Sequence, residues 1–295
     1  MPHNEKSGVA SFIAENEKEC FENIKLLLSF LPQNNMENPP IISINDNPNR
    51  SNTNLKVPKD SKKTYDVRDV IEDIVDKNTF LEIQQLYAQN VVIGLARLNN
   101  NTIGIVANQP KILAGCLDIN SSDKIARFVR FCDSFNIPLI NLVDVTGYLP
   151  GVNQEHNGII RHGAKILYAY SEATVPKISL VMRKAYGGAY IALVSKDMGF
   201  DKVIAWPNAE IAVMGAEQAV NIIHRKELKG NEKIKAQKVK EYAEKFLNPY
   251  EAAKRGKVDI ITEPKNTRKI LISCLEMLIT KRERRPAKKH GNIPV

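Results

Sequence analysis

The chain is poor in the residues that staple or anchor small folds. Its 295 residues hold four cysteines, one tryptophan and 6% aromatics. Cys20, Cys116, Cys132 and Cys274 stand far apart, with no CxxC pair. That excludes a zinc ribbon and a disulfide framework, and no metal site is expected. Unpaired thiols suit a reducing compartment, so the cytoplasm is the expected location. No apolar run reaches the ~18 residues of a membrane span. The opening "MPHNEKSGVASF" lacks the basic start and apolar core of a secretion signal. There is no GxSxG nucleophile elbow.

What is present is an ordinary globular composition with a basic excess. Hydrophobic residues make 43% and charged residues 25%, and the net charge is +9. Such an excess suits an anionic partner, including a phosphate-bearing cofactor. The densest basic stretch, "KRERRPAKKHGN" at 281–292, has no interleaved aromatics for base stacking. It reads as a solvated terminal face, and no nucleic-acid partner is expected.

The spacing predicts a helix over 15–31, with Cys20, Ile24, Leu27, Leu28 and Leu31 in one stripe and Pro32 ending it. Residues 34–54 hold eight Asn and three Pro and read as a loop. Val67, Val70, Ile71, Ile74 and Val75 follow at helical spacing behind an Asp66 cap. "VVIGLARL" and "TIGIVANQ" predict a hairpin turning at Asn99, Asn100 and Asn101. From there strands and helices alternate: helix over 121–135, strand over 138–145, helix over 157–173, then the strand "KISLVM". "KVIAWP" and "AEIAVMG" read as strands, "AEQAVNIIHRKE" as a helix, and two helices near 233–247 and 266–282 close the chain. This alternation argues for an α/β fold with parallel pairing. Trp206 reads as core, and His162 as structural or surface.

"RKAYGGAYIALVSKDMG", residues 183–199, places two glycines between the strand and a helix-like run apolar at Ile191, Val194 and Met198. Glycine permits sharp turns and close approach. The first helical amides lack internal partners and carry the positive end of the dipole. A P-loop needs Lys and Ser/Thr here, where Ala189, Tyr190 and Ile191 stand. Three spaced glycines of a dinucleotide site are missing too. Two readings stay open: an oxyanion hole for an enolate-like intermediate, or a tight turn without a ligand. "DVTGYLPG", 144–151, is a second glycine-bracketed turn at the ligand-binding end of a strand.

Several long segments occur together and in order. They are "GIVANQPKILAGCLDINSSDKIARFVRFCDSFNIPLINLVDVTGYLPG", "HNGIIRHGAKILYAYSEATVPKISLVMRKAYGGAY", "AWPNAEIAVMGAEQA" and the ending "RPAKKHGNIPV". With them, nearly the whole chain resembles the C-terminal half of the carboxyltransferase β subunit of biotin-dependent acyl-CoA carboxylases, of the propionyl-/acetyl-CoA type. Thr146 and Tyr148 stand where that family more often has Pro and Phe.

The resemblance implies a crotonase (ClpP/crotonase)-like superhelix of ββα units. It divides the chain into an N-terminal helix and polar linker, 1–65, and a crotonase-like acyl-CoA carboxyltransferase domain, 66–295. It implies transfer of a carboxyl group between carboxybiotin on a carrier protein and propionyl-CoA or acetyl-CoA. The Gly188 and Ala189 amides would stabilise charge on the biotin ureido oxygen. Gly187, Tyr190, Ile191, Thr146, Gly147 and Tyr148 would surround biotin and acyl chain. The implied partners are an N-terminal carboxyltransferase half holding the second oxyanion hole, a biotin carboxylase, a biotin carrier protein and further copies in a trimer or hexamer. In a eukaryote the location becomes the mitochondrial matrix. The α subunit of a methylmalonyl-CoA decarboxylase or transcarboxylase fits the same residues. A self-sufficient crotonase-type hydratase or decarboxylase would instead need carboxylates such as Glu210 and Glu217. A non-catalytic assembly module would rely on the basic tail.

Overall fold

The computed structural model describes residues 1–52, 57–61, 63–228 and 232–294. A single turn, α1 (Pro2–Glu5), precedes α2 (Glu17–Phe30). The Asn16 side chain accepts from the Glu19 amide and starts α2. The stripe expected along this helix stays mostly outside: Ile24 is 46% exposed and Leu28 60%, while Phe30 is 1% exposed. The helix meets the body through its last turn. There the Arg97 guanidinium lies 4.8 Å from the Phe30 ring centroid and donates to the Ser29 carbonyl.

The Asn-rich segment forms no regular element among its described residues, yet it is tied down. Asn100 receives the Ile44 amide on its side chain, and Asn52 donates to the Asp73 carbonyl. α3 (Val67–Ile74) begins at the expected cap, with Asp66 accepting from the Arg68 amide. It buries Val67, Val70, Ile71 and Ile74.

β1 (Leu81–Ile83), β2 (Val91–Leu98) and β3 (Asn101–Asn108) run antiparallel. The β2–β3 turn needs only Asn99 and Asn100, at φ 48° and 72°, and Asn101 belongs to β3. Positive φ at both central residues is what a tight hairpin asks for, and Asn tolerates it. α4 (Ile119–Ser134) opens with a reciprocal Asp118–Ser121 capping box. β4 (Leu139–Val145) and α5 (Val152–His156) follow. The helix expected over 157–173 is shorter, α6 (Ile159–Glu172), because Gly158 at φ 84° breaks it from α5.

β5 (Lys177–Tyr186) runs past "KISLVM" up to the glycines, and α7 (Gly187–Leu193) is shorter than the apolar pattern suggested. Val194 is its C-cap, and the Ser195 hydroxyl accepts from the Asp197 amide to start a separate turn. β6 (Lys202–Ala205), β7 (Glu210–Ala212), α8 (Ala216–Ile223), α9 (Arg225–Leu228), α10 (Glu232–Phe246), α11 (Pro249–Lys254), β8 (Ile260–Ile261) and α12 (Thr267–Leu278) complete the chain.

The sheet order is β1-β2-β3-β4-β5-β6-β8, with β7 branching off the end of β5. Pairing is parallel from β3 onward. Apolar cores lie on both faces of this sheet. Ile125, Phe128, Val129, Ile166 and Tyr170 of α4 and α6 cover one face. Val70, Ile71, Ile74, Leu271 and Leu275 of α3 and α12 cover the other. Each such side chain contributes about 1.5–3 kcal/mol on burial. Trp206 belongs to the second core and donates from Nε1 to Thr267 Oγ1 at 3.0 Å. Among the described residues no helix is long and apolar enough to cross a membrane.

Candidate active site

The last part of β5 carries the site. β4 and β5 pair regularly up to Val143↔Val181, then resume at Val145↔Ala185. Met182, Arg183 and Lys184 therefore stand against Asp144 alone. A bulge of this kind bends and twists the strand that carries it. Beyond it, β7 pairs with Lys184–Tyr186. The chain then turns through Gly187 at φ 58°, a left-handed value that costs other residues energy.

Gly188 is exposed and Ala189 fully buried. Both lie in the first turn of α7, where amide N–H groups lack intrahelical acceptors. Among the described residues neither amide has an acceptor. A Cβ on Gly188 would make only ordinary contact, 3.5 Å from the Tyr148 ring. Thus Gly187 is glycine because of its backbone conformation. Gly188 has room for a methyl beside the Tyr148 ring.

The second turn lies directly beside the first. Gly147, at φ 143°, accepts from the Leu117 amide at 3.0 Å, and Leu149 donates back to Leu117 at 2.7 Å. This bridge fixes Tyr148 between α6 and α7, with its hydroxyl donating to the Gly163 carbonyl at 3.3 Å. Burial pushes the phenol far above its ordinary range, so it stays neutral. Thr146 Oγ1 sits 2.9 Å from Cys116 Sγ.

In front of the glycine pair opens a cleft of about 890 Å³, lined by Gly187, Gly188, Tyr190 and Ile191. That is the size of a small-molecule or cofactor site. Ile191, Val213, Ile223 and Phe246 make it largely apolar, and Glu251, Arg255 and Lys257 also line it. Ile191 is 46% exposed, so it is no core residue of this chain. Half-burial raises the Tyr190 phenol, and the Asp197 carboxylate adds to this.

The fold thus gathers Gly187, Gly188, Ala189, Tyr190 and Ile191 at one turn and brings Tyr148 against it. Gly147 and Thr146 shape the supporting loop. The rival carboxylates are occupied: Glu210 accepts from the Tyr186 hydroxyl, and Glu217 pairs with Lys235 at 3.0 Å. His162 pairs with Asp123 at 2.9 Å on the outer side of α6 and α4. Sequence reasoning missed the Asp144–Arg183 pair behind the site. Its signal was a lone acid at the end of the apolar strand "LINLVDV" and a basic pair, Arg183 and Lys184, continuing the apolar strand "KISLVM".

Comparison with known proteins identifies the family. Residues 1–293 match the family described as the carboxyl transferase domain. The chain is 54% identical over 297 residues to the methylmalonyl-CoA decarboxylase subunit alpha of Veillonella parvula, covering 100% of this chain and 57% of that protein. It is 57% identical over 297 residues to the methylmalonyl-CoA carboxyltransferase 12S subunit of Propionibacterium freudenreichii subsp. shermanii, covering 99% of this chain and 56% of that one. The mitochondrial propionyl-CoA carboxylase beta chain of Sus scrofa is 51% identical over 295 residues, covering 99% of this chain and 54% of the pig protein. The chain therefore spans little more than half the length of these curated relatives.

Among solved structures, a transcarboxylase 12S hexamer with bound methylmalonyl-coenzyme A and methylmalonic acid superposes with TM-score 0.96 at 55% identity, covering 100% of this chain and 57% of that one. A single-chain, multi-domain long-chain acyl-CoA carboxylase gives TM-score 0.78 at 26% identity, covering 92% of this chain and 26% of that one. The fold is the crotonase-like α/β fold of these neighbours. A family match over nearly every residue makes this chain a member of the carboxyl transferase domain family.

Proposed function

We propose that this chain is the C-terminal half of a biotin-dependent acyl-CoA carboxyltransferase. It supplies the biotin side of a site that moves a carboxyl group between carboxybiotin and a short-chain acyl-CoA, propionyl-CoA or acetyl-CoA. The observation that carries this reading is the exposed Gly188 at the wall of an apolar cleft, in the first turn of α7 with the buried Ala189 next to it.

The residues present fit the biotin head. Gly188 lines the cleft, the Tyr148 ring lies 3.5 Å from its Cβ position, and most of the cleft lining is apolar. When bound, biotin supplies the activated carboxyl group. The part of this chain is to hold negative charge on the ligand oxygen with two fixed amides and to keep water away with Ile191, Val213 and Ile223. One such preorganised donor is worth about 10²–10³ in rate. Apolar walls separate acyl chains differing by one methylene by only ~1–3 kcal/mol, so propionyl and acetyl groups both fit this reading.

The partners in this reading are an N-terminal half carrying the other side of the site, a biotin carboxylase and a biotin carrier protein. The relatives that carry subunit names, and the hexamer among the solved structures, support an assembly of several chains. A second reading keeps the site and reverses the chemistry: the alpha subunit of a methylmalonyl-CoA decarboxylase, or a transcarboxylase. The identities of 54% and 57% to such proteins favour it.

The test is carboxyl transfer run in reverse, from methylmalonyl-CoA or malonyl-CoA to free biotin, with and without an N-terminal half of the family. Activity is expected only with the added half. Gly188→Pro removes one amide donor and is expected to lower kcat by about 10²-fold. Full activity in Gly188→Pro, or full activity of this chain alone, would sink the reading.

A further inference from the structure

The glycine pair hangs from the β5 bulge, and a buried ion pair sits in that bulge. Asp144 Oδ2 accepts from Arg183 Nε at 2.7 Å, with the side chains 3% and 2% exposed. Asp144 Oδ1 accepts from the Lys184 amide at 3.2 Å. That amide faces the irregular part of the ladder, where β5 has left its register with β4. The carboxylate thus takes the place of a missing strand carbonyl.

The pair also reaches outward. Arg183 Nη1 donates to the carbonyls of Lys63 at 2.7 Å and Asp60 at 3.0 Å. Its guanidinium lies 4.7 Å from the Tyr65 ring centroid. On the other side, the Asp144 amide donates to Asn108 Oδ1, and Asn108 donates to the Gly115 carbonyl. A Cβ on Gly115 would meet the Asp144 carbonyl at 2.6 Å, so glycine lets this strand end come close. Both site turns start from this brace: Asp144 precedes Thr146 by two residues and Arg183 precedes Gly187 by four.

We propose that Asp144 and Arg183 are positioning residues for carboxyl transfer: their pair locks the β5 bulge and so sets the direction of the Gly188 and Ala189 amides at the start of α7. Register is the physical reason. A strand slipped by one residue turns its side chains to the opposite face and its amides toward the opposite neighbour. β7 holds the outer edge of this segment at Lys184–Tyr186, and Asp144 accepts the Lys184 amide on its inner edge at the bulge. The inference rests on the reading of Gly188 and Ala189 as the oxyanion donors.

The test uses the chain assembled with its N-terminal half, in Asp144→Asn, Arg183→Lys and Gly188→Pro forms. Asn keeps an acceptor for the Lys184 amide but loses the charge facing Arg183. Lys keeps the charge but loses the fork. Displacing reacting groups by about 1 Å costs on the order of 10²-fold, so kcat in both pair variants is expected to fall about 10–100-fold with KM for the acyl-CoA unchanged. Hydrogen exchange is expected to speed up at amides 184–189 and to stay unchanged in β2 and β3. A loss of kcat with exchange raised throughout the sheet would make the pair a general stabiliser and overturn the proposal. Normal kcat in both pair variants, beside an inactive Gly188→Pro, would overturn it while leaving the site reading intact. Full activity of Gly188→Pro would overturn both.

Discussion

The Tyr148 ring occupies the space that a side chain on Gly163 would need, its nearest carbon 2.8 Å from a Cβ built there. By its opposite edge the same ring meets Gly188. Gly163 and Tyr148 therefore set the floor beneath the glycine pair. Gly163→Ala is expected to push the ring toward Gly188 and to destabilise the chain by about 1–3 kcal/mol, the usual cost of overpacking. Transfer activity should fall with it. Tyr148→Phe, which loses only the bond to the Gly163 carbonyl, should cost about 1 kcal/mol. Urea unfolding of the two variants gives the comparison, and an Ala variant as stable as the parent would contradict the packing.

The two glycines of the pair answer to different constraints and should respond differently. Gly187 holds φ 58°, and a Cβ there lies 3.2 Å from the Val213 carbonyl oxygen. Gly187→Ala should cost about 1–2 kcal/mol from the left-handed backbone. At Gly188 a methyl has ordinary contact distance, so Gly188→Ala should alter stability by less than about 0.5 kcal/mol. Its effect should appear in transfer rate, because Gly188 lines the cleft. Thermal melts paired with kinetics separate the two effects.

Lys124 is buried, and its ammonium donates to the carbonyls of Gln84, Tyr87, Ala88 and Val91. Burial brings its pKa down to about 7. In the unfolded chain it titrates near about 10.4. Between these values the unfolded chain binds one more proton than the folded one, so stability rises with pH. Lys177, lowered to about 8 by burial and by the charge of Lys281, adds to the same slope. Urea midpoints should therefore increase from pH 7 to 9, and Lys124→Met should flatten the rise. An unchanged slope in that variant would exclude Lys124 as its source.

Arg268 is wholly buried on α12 and reaches back to the N-terminal third of the chain. It donates to the Ile74 carbonyl and to Asp76 Oδ1, each at 2.6 Å. Asp76 in turn accepts the amides of Asn99 and Asn100 at the hairpin turn. Arg268→Ala leaves that carboxylate buried without its cation and should cost about 3–5 kcal/mol. Far-ultraviolet circular dichroism through a urea titration measures this loss. A midpoint equal to that of the parent would show that the pair contributes nothing net.

Much of the fold was legible because its signals act over a few residues. The Asp66 cap needs only the amide two positions on, and the Asn99–Asn100 turn only two residues with positive φ. Gly158 was the unread signal in the helix over 157–173: its φ of 84° lets the chain break where the apolar pattern continues. The length of β5 was misjudged because "RKAY" carries two charges. Arg183 is nevertheless buried, since Asp144 and the carbonyls of residues 60 and 63 satisfy it.

By itself the sequence determined the alternation of strands and helices, the position of the glycine pair, the absence of cysteine clusters and, through long ordered segments, the family resemblance. These follow from periodicity, capping and backbone freedom, all of them local. Only the tertiary structure decided that β7 pairs with β5, that Tyr148 lies against a glycine 40 residues further on, and that Ile24 and Leu28 of the α2 stripe stay exposed. Those outcomes depend on which distant surfaces exclude water from one another and which buried charges find partners. No short stretch of chain encodes that choice.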